Sequence, residues 1–166
     1  MSGERLIILQ LSAIEVAQLV ALAEQFTELL DDGAPADDPG MARLTPEAYP
    51  TDPQASAEFR RLTRDDLLGR RSDDVGRMLR SLLDAQGTSS LTELSDEEAV
   101  RPRLVALDAE DASAWMRTLT AIRLVFATRL GIEAEGDGDP DDPRMFLYEW
   151  LGSTLESVVQ AATERS

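Results

Sequence analysis

The chain has 166 residues, of which 43% are hydrophobic, and its formal net charge is −16 at pH 7. This length and apolar content predict a single domain, residues 1–166, that buries roughly two-thirds of the surface of the unfolded chain. The negative charge should repel nucleic acids and anionic membranes, so we expect neither as a direct partner. With no apolar run near the ~20 residues of a membrane span and no signal-peptide pattern, the sequence predicts a cytoplasmic protein.

Several residue types that carry much of protein chemistry are missing. The chain has no cysteine and no histidine, and all 16 of its basic residues are arginine. These absences exclude disulfides and thiolate nucleophiles, and they remove the commonest general base and the commonest transition-metal ligand. No P-loop, glycine-rich dinucleotide turn or nucleophile elbow is present. The sequence therefore predicts no catalytic residue, no cofactor and no metal site.

The N-terminal segment predicts a strand followed by a capped helix. Residues 5–11 are rich in Ile and Leu and short enough for a strand. Ser12 is followed three residues later by Glu15, the spacing of a capping box, in which each side chain accepts a hydrogen bond from the backbone amide of the other residue. The helix predicted over residues 13–30 has a broad apolar surface, which indicates a central and mostly buried position.

The same organisation recurs later in the chain. Residues 103–107 predict a second strand, Asp108 an N-cap with Asp111 near the helix start, and Gly131 the end of a second long helix at Leu130. The predicted core stripe of this helix is Trp115, Leu119, Ile122 and Phe126. The chain thus contains two strand-cap-long-helix units, without sequence identity between them.

Two shorter helices are predicted between the units: one runs from Pro53 to about Leu68 and is stopped by Gly69, and the other is capped by Ser72 and runs to about Ala85. A last helix follows Asp142 and Pro143, and Gly152 in it would let another helix approach closely. The predicted fold class is therefore α+β and predominantly helical, with about five helices and two short strands, in which the two units flank a helical pair.

Residues 59–80 form a basic segment in an acidic chain, with seven arginines and four aspartates. Arg61 with Asp65, and Arg77 with Asp73, are spaced four residues apart and can pair along their own helices. The arginines without such a local partner are either counter-charges to the acidic fold or a candidate interaction surface for an acidic partner. They are Arg60, Arg64, Arg71 and Arg80.

Arg123 is predicted to lie within the core-facing half of the second long helix. A buried arginine must be paired, because an isolated charge is costly to remove from water. Glu58 and Glu149 are the candidate partners in a buried ion pair. The alternative is a carboxylate supplied by a ligand or a partner protein.

The acidic loop at residues 137–142 resembles the beginning of a calcium-binding loop, with Asp137, Asp139 and Asp141 at alternate positions. However, Asp142 occupies the position that requires glycine, and Tyr148 occupies that of the bidentate glutamate. We therefore interpret the segment as a solvated loop that ends in a helix cap.

Three stretches, residues 43–67, 107–132 and 148–159, together resemble an actinobacterial family known as a domain of unknown function, number two thousand and seventeen. The matching motifs include the Glu-Phe-Arg that begins at Glu58, the Arg-Leu-Gly that ends at Gly131, and the Tyr-x-Trp-Leu-Gly that begins at Tyr148. The resemblance covers nearly the whole chain in the right order. Its motifs consist of packing residues rather than catalytic ones.

The resemblance implies a regulatory role. Some members of the family are described as regulators of transcription in the oxidative stress response, acting with a sigma factor, and their genes often lie near that of a Clp protease adaptor. A cysteine-based switch cannot operate in this chain, which has no cysteine.

We therefore predict a non-enzymatic regulatory or protein-interaction module that acts through a protein partner, linked to transcriptional or proteolytic stress regulation. The alternative is a small enzyme that uses arginine and carboxylates on an anionic substrate. A deep pocket with converging Arg and Glu would favour the enzyme, whereas a flat apolar or basic patch would favour the module.

The two predicted strands also suggest a homodimer. A two-stranded sheet is marginally stable alone and leaves both of its edges open. Pairing of these edges across a two-fold axis would give a four-stranded sheet, and two-fold dimers are the commonest oligomers. Because two chains of net charge −16 repel each other, the interface would have to be apolar or use the arginine face.

Overall fold

The computed structural model describes residues 5–31, 53–86, 93–134 and 136–164; within residues 53–86, the side chains of residues 53, 55–57 and 59–65 lie outside the description. Two strands and five helices are present in these ranges, which confirms the predominantly helical α+β fold. In chain order they are β1 (Ile7–Ser12), α1 (Ala13–Asp31), α2 (Pro53–Gln86), α3 (Asp96–Ala99), β2 (Pro102–Leu107), α4 (Ala109–Leu130) and α5 (Pro143–Glu164).

The two strands pair antiparallel in a two-stranded sheet. Ile7 lies opposite Leu107, and Ser12 lies opposite Pro102. The amide of Ala13 donates to the carbonyl of Arg101 at 2.8 Å, which extends the register by one further pair. Successive side chains point to opposite faces of a strand. The odd-numbered apolar residues face the helices and are at most 6% exposed: Ile7, Leu9, Val105 and Leu107.

Both strand-cap-helix units form as the sequence predicts. The Ser12 amide and hydroxyl donate to Glu15 Oε1, each at 3.0 Å, and the Glu15 amide donates to Ser12 Oγ at 3.3 Å. In the second unit the Asp111 amide donates to Asp108 Oδ1 at 2.7 Å, and the Asp108 amide donates to Asp111 Oδ2 at 3.2 Å. Gly131 ends α4 in the left-handed conformation, with a φ of 71°.

The prediction of a helical pair between the units is wrong, because α2 is one continuous helix of 34 residues. Gly69 lies inside it, where a glycine costs only about 1 kcal/mol relative to alanine. Val75, after the glycine, is buried in the same core on which Leu68, before the glycine, packs. Tertiary packing therefore carries the helix through Gly69, and Ser72 lies in the helix interior instead of capping a new helix.

The short helix α3 was not predicted, although a local signal for it exists. Ser95 precedes Glu98 by three residues, and its hydroxyl accepts a hydrogen bond from the Glu98 amide at 3.2 Å. This helix leads directly into β2.

The core lies where the sheet and the long helices meet. α1 packs on α2, α2 on α4, and α4 on α5, while the sheet contacts α2 and α5. Trp115 is fully buried, and its indole Nε1 donates to Ser81 Oγ at 2.8 Å, which satisfies the buried donor. Of the predicted core stripe of α4, Phe126 alone is half-buried. Among the described helices, none has both the length and the apolar character needed to cross a membrane.

Candidate functional site

The outer face of the sheet is mostly apolar, uncharged and exposed. Ile8 is 45% exposed and Leu104 is 65% exposed. The register places Ile8 opposite Ala106, and Gln10 opposite Leu104. We call these four residues, together with Leu6, the outer sheet face. None of them carries a charge, in a chain with a net charge of −16.

Two further exposed apolar side chains lie close in sequence to the end of β1 and the start of β2. Val100, which follows α3, is 72% exposed, and Ile14, at the start of α1, is 43% exposed. Single exposed apolar residues are ordinary on a protein surface, but a contiguous apolar patch marks a site of interaction. The outer sheet face is therefore the first candidate interaction surface.

Apart from Leu6, the residues of the outer sheet face also carry backbone groups on strand edges that no other described strand pairs. The hydrogen bond from Ala13 to Arg101 makes these two residues a hydrogen-bonded pair. Because such pairs alternate along an antiparallel ladder, the odd-numbered residues of β1 and β2 bond to one another. The amides and carbonyls of Leu104 and Ala106 therefore point away from β1, and no backbone partner for them lies within the described residues.

The arginines predicted to form an interaction surface do not share one face of α2. Each residue of an α-helix advances by about 100°, so positions 60, 64 and 71 fall within about 40°, while position 80 lies on the opposite side. Arg71 is half-buried and Arg80 is exposed. Neither forms an ion pair with any residue of the described ranges. The side chains of Arg60 and Arg64 lie outside the description, and their role stays a prediction.

Arg77 pairs across the fold and not along its own helix. Its Nη1 lies 3.0 Å from Asp111 Oδ1 and 3.6 Å from Asp108 Oδ1, and its Nη2 lies 3.0 Å from Glu110 Oε2. Asp73, the predicted partner, is exposed. The cluster of carboxylates at the start of α4 attracts the guanidinium more strongly than one solvated aspartate does.

These contacts change the protonation behaviour of the α4 cap. The backbone hydrogen bond from the Asp111 amide is the largest influence and lowers the pKa of Asp108; burial opposes it, and the charge of Arg77 adds to it. Nearby, Arg117 Nε and Nη2 donate to the two oxygens of Asp74 at 2.8 and 2.9 Å, and these hydrogen bonds raise the pKa of Arg117. Arg77 and Arg117 therefore act as internal counter-charges.

An open groove of about 740 Å³ lies between α2 and α4. Its described lining residues are Leu67, Arg70, Arg71, Asp73, Asp74, Met116, Arg117 and Thr120. Arg71 there has no ion-pair partner in the described ranges, but Asp74 is held by Arg117. No glutamate is among these described lining residues, and the carboxylates of the groove are those of Asp73 and Asp74.

Arg123 contacts an aromatic ring and a carbonyl. Its guanidinium carbon lies 4.4 Å from the centroid of the Tyr148 ring, and its Nε donates to the Tyr148 carbonyl at 3.4 Å. Gly152 makes room for it, since a Cβ there would lie 2.9 Å from Nη2. Glu58 and Glu149 are exposed and form no ion pair with Arg123 within the described residues. This cation–π contact takes the place of the predicted buried ion pair.

One long-range contact has no signal in the sequence. Trp150 Nε1 donates to Glu15 Oε2 at 3.1 Å, across 135 residues of chain. Burial, the largest single influence, raises the pKa of Glu15, but the hydrogen bonds from Ser12 and Trp150 together bring it below its ordinary value. The contact ties α5 to the first turn of α1.

The aspartates of the acidic loop accept backbone hydrogen bonds. Asp137 Oδ2 accepts from the Ala134 amide at 2.9 Å, and Asp139 Oδ1 accepts from the Asp141 amide at 2.9 Å. Asp142 Oδ1 accepts from the amide of Arg144 at 3.0 Å, as predicted for a helix cap. In the parts of the chain that the structure describes, no group of three or more acidic side chains is placed to hold a metal ion.

The family model of the domain of unknown function DUF2017 matches residues 1–162. The chain belongs to this family. No curated protein and no solved structure matches the chain. Membership of DUF2017 therefore confirms the resemblance without adding an activity.

The residues of the DUF2017 outer sheet face were not among the predicted site residues, although a signal for them exists. Residues 6–9 and 104–107 are apolar at every position. Such runs are typical of strands that are buried on both faces. In a sheet of only two described strands, with helices against one face, the second apolar row is left exposed.

Proposed function

We propose that this DUF2017 protein is a non-enzymatic interaction module, and that the outer sheet face and the open edge of β2 contact its protein partner. The observation that carries the proposal is the exposure of uncharged apolar side chains, Ile8 and Leu104 above all, on a chain of net charge −16. A contiguous apolar face at an unpaired strand edge is a surface on which another polypeptide gains both apolar contacts and main-chain hydrogen bonds.

The charge pattern indicates what kind of surface the partner presents. A charged group pressed against the outer sheet face would lose its hydration without gaining a counter-ion, because no charged residue faces it there. A strongly basic partner would instead be drawn to the carboxylates elsewhere on the protein. The partner surface is therefore apolar and uncharged where it meets Ile8 and Leu104.

Regulation through such a contact is the role that the family resemblance implies, and it requires no DNA binding by this acidic chain. The competing function, an enzyme acting on an anionic substrate, would place the substrate beside Arg71 in the α2–α4 groove. The groove is open, and both carboxylate oxygens of Asp74 already accept hydrogen bonds from Arg117.

The proposal is tested by placing a charge on the outer sheet face. The variants are Ile8→Asp and Leu104→Asp, and the matched control is Phe146→Asp, which alters a residue of α5 that is 72% exposed. Each tagged protein is used for capture from a native lysate with quantitative mass spectrometry. Every protein whose capture depends on the face is then purified and its binding to the wild-type chain and to each variant is measured.

We expect both sheet variants to lose at least tenfold in affinity for the directly binding protein, since an aspartate buried in an apolar contact costs more than about 1.4 kcal/mol. Phe146→Asp should bind like the wild type. Circular dichroism must show that all variants are folded. Equal binding by the wild type and both sheet variants would exclude the outer sheet face as the contact surface.

A further inference from the structure

We infer that the partner at the open edge of β2, beside Leu104 and Ala106, is a second copy of this chain, joined edge to edge to form a four-stranded antiparallel sheet. The inference rests on the proposed function and names the partner of its β2 edge, while Ile8, on β1, lies outside this junction. Three observations support it: the hydrogen-bonding pattern of the free edge, the charges at the two ends of β2, and the uncharged row of side chains between them.

The free edge of β2 is self-complementary in one register. If Val105 lies on the two-fold axis, Leu104 of one copy lies opposite Ala106 of the other, and Ala106 lies opposite Leu104. These are the residues whose amides and carbonyls point away from β1. Each such pair exchanges two N–H···O bonds, so the register satisfies every edge group of both residues.

The same register ends where the strand can no longer pair. The next hydrogen-bonded pair outward sets Pro102 of one copy opposite Asp108 of the other. Proline has no amide hydrogen, and the Asp108 amide already donates to Asp111. No free donor is therefore lost at either end. Pro102 also fits an edge strand, which is where prolines are tolerated in sheets.

Charge complementarity favours a second copy over an unrelated strand. Two arginines stand at the start of β2: Arg101 precedes the strand, and Arg103 is its second residue. Two carboxylates, Asp108 and Glu110, follow its end. An antiparallel pairing of two identical strands brings the basic end of each copy beside the acidic end of the other. Arg101 contacts Glu97 at 3.6 Å with its side chain 60% exposed, and Arg103 has no ion pair with a described residue. The exposed Arg101 can therefore serve the neighbouring copy, whereas Arg103 lies in the helix-facing row of the strand and its Nε is buried.

The edge of β1 is less suited to this pairing. The Ser12 amide already donates a hydrogen bond to Glu15, and Leu6 already has an interaction partner. Ile8 and Gln10 remain. β2 also retains two such residues, Leu104 and Ala106, and these lie between the two charged ends of the strand, which is the feature that favours β2.

The uncharged junction lets two chains meet without adding local charge repulsion, although each chain has a net charge of −16. The side chains that meet at the junction on the outer face are Leu104 and Ala106 from each copy, none of them charged. Short strands paired at one edge bury less than the roughly 1,600 Å² of a standard interface. We therefore expect a dimer that dissociates on dilution.

The decisive experiment is a mixed disulfide. Opposed residues of a hydrogen-bonded pair lie about 5.5 Å apart between their Cα atoms, within the range that a disulfide spans. Leu104→Cys and Ala106→Cys are prepared as separate proteins, each with one cysteine because the natural chain has none. They are oxidised with diamide alone and as an equal mixture. Diamide takes up the two electrons and two protons released as the S–S bond forms.

The mixture should give the cross-linked heterodimer at least tenfold faster than either variant alone gives a homodimer, because position 104 faces position 106 and not itself. The matched control is a mixture of Ile8→Cys and Gln10→Cys chains, which place the same pair of cysteines on the edge of β1 and should cross-link slowly. Equal rates in the mixture and in the separate proteins, or faster cross-linking of the β1 pair, would overturn the inference.

A second measurement separates this inference from the proposed function. Sedimentation compares the wild type with Ala106→Pro, which removes an edge amide hydrogen of β2, and with Ile8→Pro, which removes one on β1; neither amide belongs to the β1–β2 ladder. We expect the wild type and Ile8→Pro to exceed the 18.2 kDa mass of one chain as concentration rises, and Ala106→Pro to remain monomeric. If the wild type is monomeric but still binds a different protein through Leu104, the inference of a second copy is wrong, while the proposed function still holds.

Discussion

The two strand-cap-helix units use the same local device but connect it to the fold in different ways. In the first unit, the Ser12–Glu15 capping box receives a neutral donor, the indole of Trp150 at 3.1 Å. In the second, the Asp108–Asp111 box receives a cation, the guanidinium of Arg77 at 3.0 Å. Each contact ties the first turn of a long helix to another helix.

The difference follows from the number of carboxylates in each cap. The first unit has one, Glu15, and a single hydrogen bond from a neutral group is sufficient to stabilise it. The second has Asp108 and Asp111 with Glu110 between them, and three negative charges close together repel one another unless a cation is near. An arginine of the basic segment thus has a structural purpose at this cap.

The largest effect in this comparison is expected at the tryptophans that anchor the two units. Trp115 is fully buried, whereas Trp150 is half-buried. Trp115→Ala should lower the free energy of unfolding by about 3–5 kcal/mol, because it leaves a large cavity and removes the donor to Ser81. Trp150→Ala should cost less. Urea unfolding of both variants measures the difference, and equal losses would show that the second unit is no better anchored than the first.

A middle-sized effect is expected from Arg77→Ala. The side chain is 33% exposed, and its removal leaves three carboxylates without their shared cation. We expect a loss of about 1–2 kcal/mol in the free energy of unfolding. The control is Arg70→Ala, whose side chain is 73% exposed and pairs with Asp66 on its own helix, and which should change stability by less than about 0.5 kcal/mol. Added salt should narrow the gap between the two variants.

Sequence reasoning recovered what local signals determine. The Ser12–Glu15 capping box, the Asp108 N-cap, the two strands and the helix end at Gly131 were predicted, because a cap needs only a few neighbouring residues and a strand needs only a short apolar run. The end of α1 and the start of α5 followed in the same way. Each of these features depends on residues that lie only a few positions apart in the sequence.

The contacts that link distant segments were not predictable in this way. Arg77 and Asp111 are 34 residues apart, and nothing near Arg77 in the sequence favours Asp111 over the adjacent Asp73. The continuity of α2 through Gly69 depends on packing against a core that local propensity does not register. Arg123 likewise meets Tyr148 because α4 and α5 pack together. Such pairings become visible when the fold brings the helices side by side.

The smallest effect concerns pH and separates the two caps. The pKa of Glu15 is lowered in the fold, so its ionisation contributes stability above the unfolded pKa, and this contribution is lost as pH falls through the folded pKa. Trp150→Phe removes one of the hydrogen bonds that lower that pKa. The variant should therefore be about 1 kcal/mol less stable than the wild type at pH 7, and the gap should close below about pH 4. Urea midpoints of both proteins, measured from pH 7 down through this range, give the size of the gap.

The second cap is the internal control, because the lowered pKa of Asp108 does not depend on Trp150 and should give both proteins the same remaining acid sensitivity. A gap that stays constant with pH would mean that Trp150 stabilises the fold by packing alone and that the neutral donor has no part in the first cap.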